Sequence, residues 1–165
     1  MKIIVAVDEN WAIGCGNKLL HSIPEDMKFF KEKTSGQVVV MGRATLESLP
    51  GGKPLKDRIN LVLTRKGGAD LEGAVFCSSI EEVLQRVRQY SGKEVYIIGG
   101  EQVYRQFLPH CESCFVTKME ASFPADKFFE NLDESEDWEL LFEEKHCTEE
   151  GLHYSFCLYR NLDMR

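Results

Sequence analysis

Short, continuously apolar runs alternate with stretches of helical spacing along this chain, and this alternation most constrains its fold. The apolar runs predict strands at 3–7, 38–41, 59–63, 74–77, 95–98 and 114–118. A strand that is apolar without interruption has to be covered on both faces, as the strands of a parallel sheet are. The pattern therefore predicts an α/β fold with a mostly parallel sheet.

The segments between the strands predict helices at 24–34, 80–90 and 101–108. The first of these begins with Pro24, and Ser22 and Glu25 have the spacing of a capping box. Near the C-terminus, 138–142 and 153–159 alternate as the strands of an antiparallel hairpin do. In this chain of 165 residues the Pro- and Gly-rich stretches resemble loops rather than linkers, so we expect one domain.

The net charge of −7 argues against general nucleic-acid binding. Between 43 and 66, six basic and two acidic side chains indicate either a site for a small anion or a solvated basic face. No apolar run approaches the roughly 18–20 residues that span a bilayer. The N-terminal apolar run is also short for a secretory signal, so we expect a cytoplasmic protein that binds no membrane.

The chain has six cysteines, two of them in the motif Cys111-Glu112-Ser113-Cys114. In a cytoplasmic protein we expect buried, reduced thiols rather than disulfides. A zinc site would need a second pair of ligands, which the sequence does not supply near this motif, so we expect no metal.

Ligands of open α/β sheets bind beyond the carboxyl ends of the strands, where this sequence has three notable junctions. One strand leads into Gly42-Arg43-Ala44-Thr45, and another leads into Gly99-Gly100-Glu101. Glycines and free helix-start amides favour phosphate, so together the two indicate a dinucleotide site, although each alone is also typical of a plain turn. A third strand ends in Leu63-Thr64-Arg65-Lys66, which indicates either a 2′-phosphate site selective for NADPH or a solvated turn.

Asp26 lies in the first turn of the predicted helix 24–34 and shares a face with Phe29 and Phe30. A carboxylate beside two aromatic rings needs a polar partner or a raised pKa, which makes Asp26 a candidate acid or substrate anchor. The alternative is an exposed acid that the helix dipole stabilises. The spacing alone slightly favours the exposed acid, since Glu25 lies in the same turn.

Taken together, these residues resemble the dihydrofolate reductase family over nearly the whole chain. Five ordered features carry the resemblance: Ile4-Val5-Ala6-Val7-Asp8 with Ala12-Ile13-Gly14; Ile23-Pro24-Glu25-Asp26 with Phe30; Met41-Gly42-Arg43 with Thr45 and Glu47-Ser48; Ile98-Gly99-Gly100 with Tyr104; and Val116-Thr117. The resemblance implies a mixed, mostly parallel eight-stranded sheet with helices on both faces and an antiparallel C-terminal hairpin. It also implies one domain over 1–165, in which 38–88 form an adenosine-binding lobe and the rest a loop lobe.

The resemblance implies reduction of 7,8-dihydrofolate to 5,6,7,8-tetrahydrofolate, with hydride transfer from NADPH C4 to pterin C6 and protonation of N5. Asp26 would bind the pterin through N3 and the 2-amino group, Thr117 would hydrogen-bond that carboxylate, and Arg58 would bind the glutamate α-carboxylate. We expect Asp26 to orient the ring while water delivers the proton. The other implied substrate positions are Ile4, Val5, Ala6, Met27, Phe30, Ser48, Leu49, Leu55 and Ile98.

For NADPH, the resemblance implies that the backbones of Ala6 and Ile13 position the nicotinamide, with Tyr104 beside the ring. The phosphates would be bound by Arg43, by Thr45 and by the Gly99-Gly100 junction, whose peptide bond would be cis. The other implied cofactor positions are Gly14, Leu19, Gly42, Ala44, Leu63, Thr64, Arg65, Ile98, Glu101, Gln102 and Val103. The implied catalytic residues are Asp26, Thr117, Tyr104 and His21.

The chain departs from the family pattern at two notable positions. Where the family usually has Pro-Trp, this chain has Leu20-His21, and we expect His21 to hold the water that the Trp holds and to add an ionisation to the pH–rate profile. A loop histidine without that role is the alternative. Gln102 stands where some relatives have Arg, so NADPH preference would depend on Arg43, Thr64 and Arg65.

The segment 9–20 would form a mobile lid that Asp126 holds. Two other functions remain open: a pyrimidine reductase of flavin synthesis with the same fold, and an inactive folate- or nucleotide-binding module. Asp26, Phe30 and Arg58 speak against the first, because they suit a pterin with a glutamate tail. The family resemblance further implies a monomer that binds antifolate inhibitors and serves one-carbon metabolism and thymidylate synthesis.

Overall fold

An eight-stranded sheet is the frame of the computed structural model, which describes residues 1–65 and 71–165. Lys66, part of the third junction, and the loop glycines Gly67 and Gly68 lie outside the described residues. The strands are β1 (Lys2–Val7), β2 (Ala12–Cys15), β3 (Lys18–Leu19), β4 (Val38–Gly42), β5 (Ile59–Leu63), β6 (Ala74–Cys77), β7 (Val95–Ile97), β8 (Ser113–Met119), β9 (Lys127–Phe128), β10 (Trp138–Cys147) and β11 (His153–Asn161). The helices are α1 (Pro24–Thr34), α2 (Arg43–Ser48), α3 (Ile80–Val87) and α4 (Glu101–Phe107), with 3-10 turns at Pro50–Gly52, Leu108–His110 and Leu132–Glu134.

The large sheet has the strand order β10-β11-β8-β1-β7-β4-β5-β6. The six strands from β8 to β6 in that order are parallel to their neighbours, whereas β11 is antiparallel to β8 and β10 is antiparallel to β11. The predicted mixed, mostly parallel sheet with an antiparallel C-terminal hairpin is therefore confirmed.

The central strand β4 shows why the strands are continuously apolar. Val38 and Val40 face one buried cluster, which also contains Phe107 of α4, while Val39 and Met41 face the cluster on the other side of the sheet. The side chains of these four residues are fully buried. Helices thus cover both faces, as expected for a parallel sheet.

The predicted capping box at α1 is wrong, although the predicted helix bounds are correct. Ile23 occupies the N-cap position and no side chain caps the helix. Ile23 is buried in a cluster with Met119 and Tyr154, and this tertiary packing places the N-cap one residue after Ser22. Its carbonyl accepts the first hydrogen bonds, from the backbone N–H of Asp26 and of Met27 at 3.0 Å each.

The sequence does not predict the small second sheet, whose strand order is β3-β2-β9. Its strands have only two to four residues, too few to show a periodicity. The buried Asp8 carboxylate anchors this sheet to the end of β1, because it accepts hydrogen bonds from the backbone N–H of Asn10 (2.8 Å), Ala12 (3.0 Å) and Phe123 (3.0 Å).

All six cysteines are free, and Cys77, Cys111, Cys114 and Cys157 are buried, as the sequence predicts. The expectation of buried thiols is wrong for Cys15 and Cys147, which are exposed because they lie at the ends of the short strand β2 and the edge strand β10. Burial raises the pKa of the Cys111 thiol to about 12, which keeps it protonated and unreactive. Within the described ranges, no helix combines the length and the hydropathy that crossing a membrane requires.

A buried asparagine holds the loop between α2 and β5. Asn60 is almost fully buried, and its Oδ1 accepts from the Leu55 N–H at 3.0 Å. Its Nδ2 donates to the carbonyls of Leu55 (2.9 Å) and Arg58 (3.2 Å). The conformation of 55–58 therefore depends on one side chain.

Replacing Asn60 with Ala should lower the free energy of unfolding by about 1–3 kcal/mol, because buried backbone groups of Leu55 and Arg58 lose their partners. Urea denaturation measures this difference. Gln85→Ala, at an exposed position of α3, is the control and should change stability by no more than about 0.5 kcal/mol. Equal stability of the two variants would contradict the assigned role of Asn60.

Candidate active site

The carboxyl ends of β1, β4 and β7 meet at one edge of the sheet, where a cleft of about 520 Å³ opens against the segment 9–20. Most of the implied cofactor positions line this cleft: Ala6, Ile13, Gly14, Leu19, Gly42, Arg43, Ala44, Thr45, Ile98, Gly99, Gly100, Glu101, Gln102, Val103 and Tyr104. Val5 and Ser48, implied for the substrate, line it as well. The fold therefore brings the two glycine junctions together in one cavity.

The backbones of the two junctions are joined directly. The Gly42 N–H donates to the Gly99 carbonyl at 2.8 Å, and the Gly99–Gly100 peptide bond is cis. A Cβ atom at residue 42 would lie 3.1 Å from Val103 Cγ2, so only glycine fits there without displacing a neighbour. The junctions thus present bare backbone to the cleft.

The third junction lies outside this cleft. Leu63 pairs with Gly42 at the end of β5, so Leu63, Thr64 and Arg65 follow the strand beside the Gly42 junction. Thr64 is buried and Arg65 is exposed. Their role toward a 2′-phosphate remains a prediction.

Asp26 lies in the first turn of α1, and its Oδ1 accepts a hydrogen bond of 2.6 Å from Thr117 Oγ1. Thr117 is buried on β8, where its neighbours across the sheet are Ala6 of β1 and Phe156 of β11. Burial raises the pKa of the Asp26 carboxyl, and the hydrogen bond from Thr117 opposes this rise. The arrangement holds a largely desolvated carboxylate that still has acceptor capacity for a ligand.

Tyr104 forms part of the cleft floor. Its Oη donates to the Ile4 carbonyl at 2.9 Å, and its ring packs edge-on against Phe129 with 5.2 Å between centroids. Burial raises the pKa of the Tyr104 phenol far above its ordinary value, so the hydroxyl remains a proton donor. The tyrosine therefore ties α4 to β1 at the point where both reach the cleft.

Apolar side chains extend the site on the face of the sheet that α1 covers. The half-buried Phe30, Leu49, Leu55 and Ile98 pack against the cluster that contains Ile4. Arg58 adjoins Phe30, with 5.9 Å between the guanidinium carbon and the ring centroid. Its buried Nε has no hydrogen-bond partner, and burial lowers the pKa of the guanidinium. A desolvated, unsatisfied donor of this kind fits an anionic acceptor.

Three implied residues lie at the periphery. Met27 is 49% exposed on α1, and Ser48 Oγ donates to the Thr45 carbonyl at 2.6 Å. His21 is exposed and stacks on Phe123, with 5.6 Å between ring centroids and 12° between ring planes. The structure therefore shows what orients His21, whereas its contact with a water stays a prediction.

Hydrogen bonds at Gly14, Gly16 and Asn17 join the lid segment 9–20 to the rest of the site. The Gly16 N–H donates to Asp126 Oδ2 at 3.2 Å, and the Asp126 N–H donates to the Gly14 carbonyl at 3.0 Å. Across the cleft mouth, Asn17 Nδ2 donates to the Ala44 carbonyl at 3.2 Å. The predicted placement of Asp126 against the lid agrees with this geometry.

Four residues that line the cleft were not predicted from the sequence: Cys15, Asn17, Lys18 and Lys127. The first three belong to the predicted lid, which is the only signal that pointed toward them. Lys127 reaches the cleft through the pairing of β9 with β2, which no local pattern indicates. In residues 1–65 and 71–165, no three His, Cys, Asp or Glu side chains cluster as a metal site requires.

A second cleft of about 440 Å³ lies beside the first and shares Glu101 and Tyr104 with it. It is lined by aromatic and charged residues of the C-terminal half, including Phe128 and Trp138. The two glycine junctions line the first cleft and are absent from the lining of the second, so we assign the cofactor site to the first cleft.

Asp26→Asn should stabilise the protein without ligand at neutral pH. Because folding raises the pKa of Asp26, the unfolded chain releases this proton first, and native stability falls as the pH rises between the two pKa values. The advantage of the variant should shrink below about pH 3.9, the ordinary pKa of aspartate. Urea midpoints measured against pH test this, with the exposed neighbour Glu25→Gln as control; a destabilised Asp26→Asn at neutral pH would refute it.

Comparisons with known proteins agree with this geometry. Residues 1–161 match the family model described as dihydrofolate reductase. The dihydrofolate reductase of Bacillus subtilis (strain 168) is 35% identical over 162 residues, which cover 96% of this chain and 93% of that protein. The enzyme of that name from Neisseria gonorrhoeae is 38% identical over 157 residues, 95% of each chain.

Among solved structures, dihydrofolate reductase from Enterococcus faecalis complexed with NADP(H) and RAB-propyl has a TM-score of 0.87 to this chain. The two sequences are 33% identical, and the alignment covers 98% of this chain and 96% of that one. The resemblance carried by the ordered motifs is thereby confirmed. The chain belongs to the dihydrofolate reductase family.

Proposed function

We propose that this protein reduces 7,8-dihydrofolate to 5,6,7,8-tetrahydrofolate with NADPH, as its family membership implies. The observation that carries the proposal is the half-buried Asp26 carboxylate, which accepts a hydrogen bond from Thr117. The face around this carboxylate, beside the cleft, is otherwise apolar. A flat heterocycle with two adjacent N–H donors satisfies such a carboxylate, and the apolar wall covers the rest of the ring.

The cleft residues fit NADPH. Gly42, Gly99 and Gly100 leave backbone accessible, and Arg43, Thr45 and Gln102 supply side-chain donors beside them. When bound, NADPH supplies the hydride that the pterin accepts at C6. Tyr104 and the backbones of Ala6 and Ile13 position the nicotinamide, and the apolar wall excludes water from the reacting rings.

Asp26 acts by orientation. Its ionised carboxylate accepts from pterin N3 and the 2-amino group, while Thr117 holds it in place. This contact raises the basicity of N5, and water delivers the proton there. Burial raises the pKa of Asp26, so the carboxylate becomes protonated at a less acidic pH than an exposed aspartate does. Protonation removes one of the hydrogen bonds that the carboxylate accepts from the pterin.

Phe30, Leu49 and Leu55 pack on the pterin and aminobenzoyl rings of the substrate, and Arg58 binds the glutamate α-carboxylate. The buried, unpartnered Nε of Arg58 supports this assignment, because a carboxylate satisfies it. Asn60 positions this loop through Leu55 and the Arg58 carbonyl. Ile4, Val5, Ile98, Met27 and Ser48 complete the proposed substrate contacts.

The proposal includes the wider context. The chain acts as a single monomeric domain in the cytoplasm, with 38–88 binding the adenosine part of NADPH, and it provides tetrahydrofolate for one-carbon metabolism and thymidylate synthesis. Antifolates compete at the Asp26 site. The net charge of −7 supports the absence of a nucleic-acid partner.

The deciding experiment follows the loss of NADPH absorbance with dihydrofolate present and absent. Wild-type protein should oxidise NADPH only with dihydrofolate, and an antifolate should stop the reaction. Asp26→Asn should lower kcat/KM by about 10²-fold or more, because the anionic acceptor is lost. Glu25→Gln, an exposed acid one residue away, should keep full activity. An inactive wild-type protein that still binds both ligands would instead establish a binding module.

Arg65→Ala should lower the ratio of kcat/KM for NADPH to that for NADH by about tenfold or more, because a charged hydrogen bond to the 2′-phosphate is lost. Arg88→Ala, also exposed and cationic, is the matched control. An unaltered ratio in Arg65→Ala would exclude Arg65 from cofactor selection.

A further inference from the structure

Two lysines flank β2, the central strand of the small second sheet β3-β2-β9. Cys15 of β2 pairs with Lys18 of β3 on one side, and Gly14 of β2 pairs with Lys127 of β9 on the other. Both lysines are exposed, and both line the 520 Å³ cofactor cleft. The small sheet therefore brings two cations, distant in sequence, to the lid side of one cavity.

The other charged residues of this cleft already have partners. Arg43 Nε is 3.1 Å from Glu47 Oε1. Glu101 accepts from Arg105 at 3.3 Å and from the Phe128 N–H at 2.8 Å. Across the part of the chain that the structure describes, no ion pair involves Lys18 or Lys127.

The opposite wall is short of positive charge. Gln102, at the start of α4, is neutral, and the ion pair with Glu47 offsets the charge of Arg43. An anionic ligand in the cleft therefore meets its uncompensated cations on the lid. A lysine attracts an anionic group of the ligand effectively within about 8 Å, the screening length at physiological salt.

We propose that Lys18 and Lys127 bind the diphosphate of the dinucleotide from the lid side and that this attraction holds the lid closed. The inference rests on the proposed function, since it requires an anionic dinucleotide in the cleft. Two contacts at the tip of the lid, Gly16 to Asp126 and Asn17 to Ala44, are exposed and 3.2 Å long, whereas shorter backbone hydrogen bonds hold Trp11 (2.8 Å) and Gly14 (3.0 Å). A ligand that binds only the closed form shifts the tip of the lid toward closure.

The test uses the full-length chain with Lys18→Gln, Lys127→Gln and the double substitution. Lys145→Gln, an exposed strand lysine on β10, is the matched control. The Kd of NADPH should rise about two- to fivefold in each single variant and about tenfold in the double variant at low salt. Added salt should narrow this difference, because screening weakens the same attraction in the wild type.

Two further measurements separate charge from structure. Lys18→Arg with Lys127→Arg should restore NADPH affinity, and the KM for dihydrofolate should stay unchanged in every variant. The exposed Cys15 thiol lines the cleft, so its alkylation, followed by mass spectrometry at saturating NADPH, reports lid opening. Alkylation should be faster in the double Gln variant than in the wild type.

A double Gln variant that binds NADPH within twofold of wild type at low salt would overturn the proposal. Weakening that does not depend on salt, or that Arg does not rescue, would also overturn it. Equal Cys15 protection at saturation would refute the closure of the lid by charge. Failure of the proposed function is seen separately, as wild-type protein that does not oxidise NADPH with dihydrofolate.

Discussion

The hydrogen bond between Asp26 on α1 and Thr117 on β8 is the interaction on which the site depends. A carboxylate in such an apolar setting costs free energy, as its raised pKa shows, and the surrounding packing has to offset that cost. Phe29, one turn further along α1, stacks on Phe156 with 5.0 Å between centroids. Ile23 is buried at the helix start. Apolar contacts on both sides of Asp26 thus hold its carboxylate at the ligand site, although the burial of this charge is unfavourable.

The large sheet forms the cofactor cleft beside this carboxylate. Because β1, β4 and β7 are adjacent and parallel, their carboxyl ends bring Ala6, Gly42 and the Gly99–Gly100 turn to one edge. The hydrogen bond from Gly42 to Gly99 joins two junctions that are more than fifty residues apart in the chain. Arg58, whose Nε lacks a partner, extends the same site on the face that α1 covers. A cofactor cleft and a substrate face therefore share the residues around Ile98.

Helices and strands with a clear local sequence pattern were predicted most accurately. The strands at 59–63 and 74–77 and the helix at 24–34 were predicted with the observed bounds, because each has a clear apolar run or a proline start. The capping box failed because Ser22 competed with the burial of Ile23, and burial won. Strands β2, β3 and β9 were missed because they are two to four residues long, and the pairing of β2 with β9 joins segments that are distant in the chain. Lys18 and Lys127 were missed with them, since only that pairing brings them to the cleft.

The sequence by itself determined the α/β class, the two glycine junctions and the position of Asp26 on one helix face with Phe29 and Phe30. Through the order of its motifs, it also determined the family. The junctions and the helix face of Asp26 are local features, since each depends on residues within about one helix turn or one strand, whereas the fold class and the family depend on the order of elements and motifs along the chain. The contact between Asp26 and Thr117 was implied by the family resemblance and is seen in the structure as a hydrogen bond of 2.6 Å. Only the tertiary structure decided that Arg58 keeps an unsatisfied buried nitrogen and that two lysines line the cleft. Burial and long-range hydrogen bonding exist only between elements that the folded chain brings together, so no local pattern contains them.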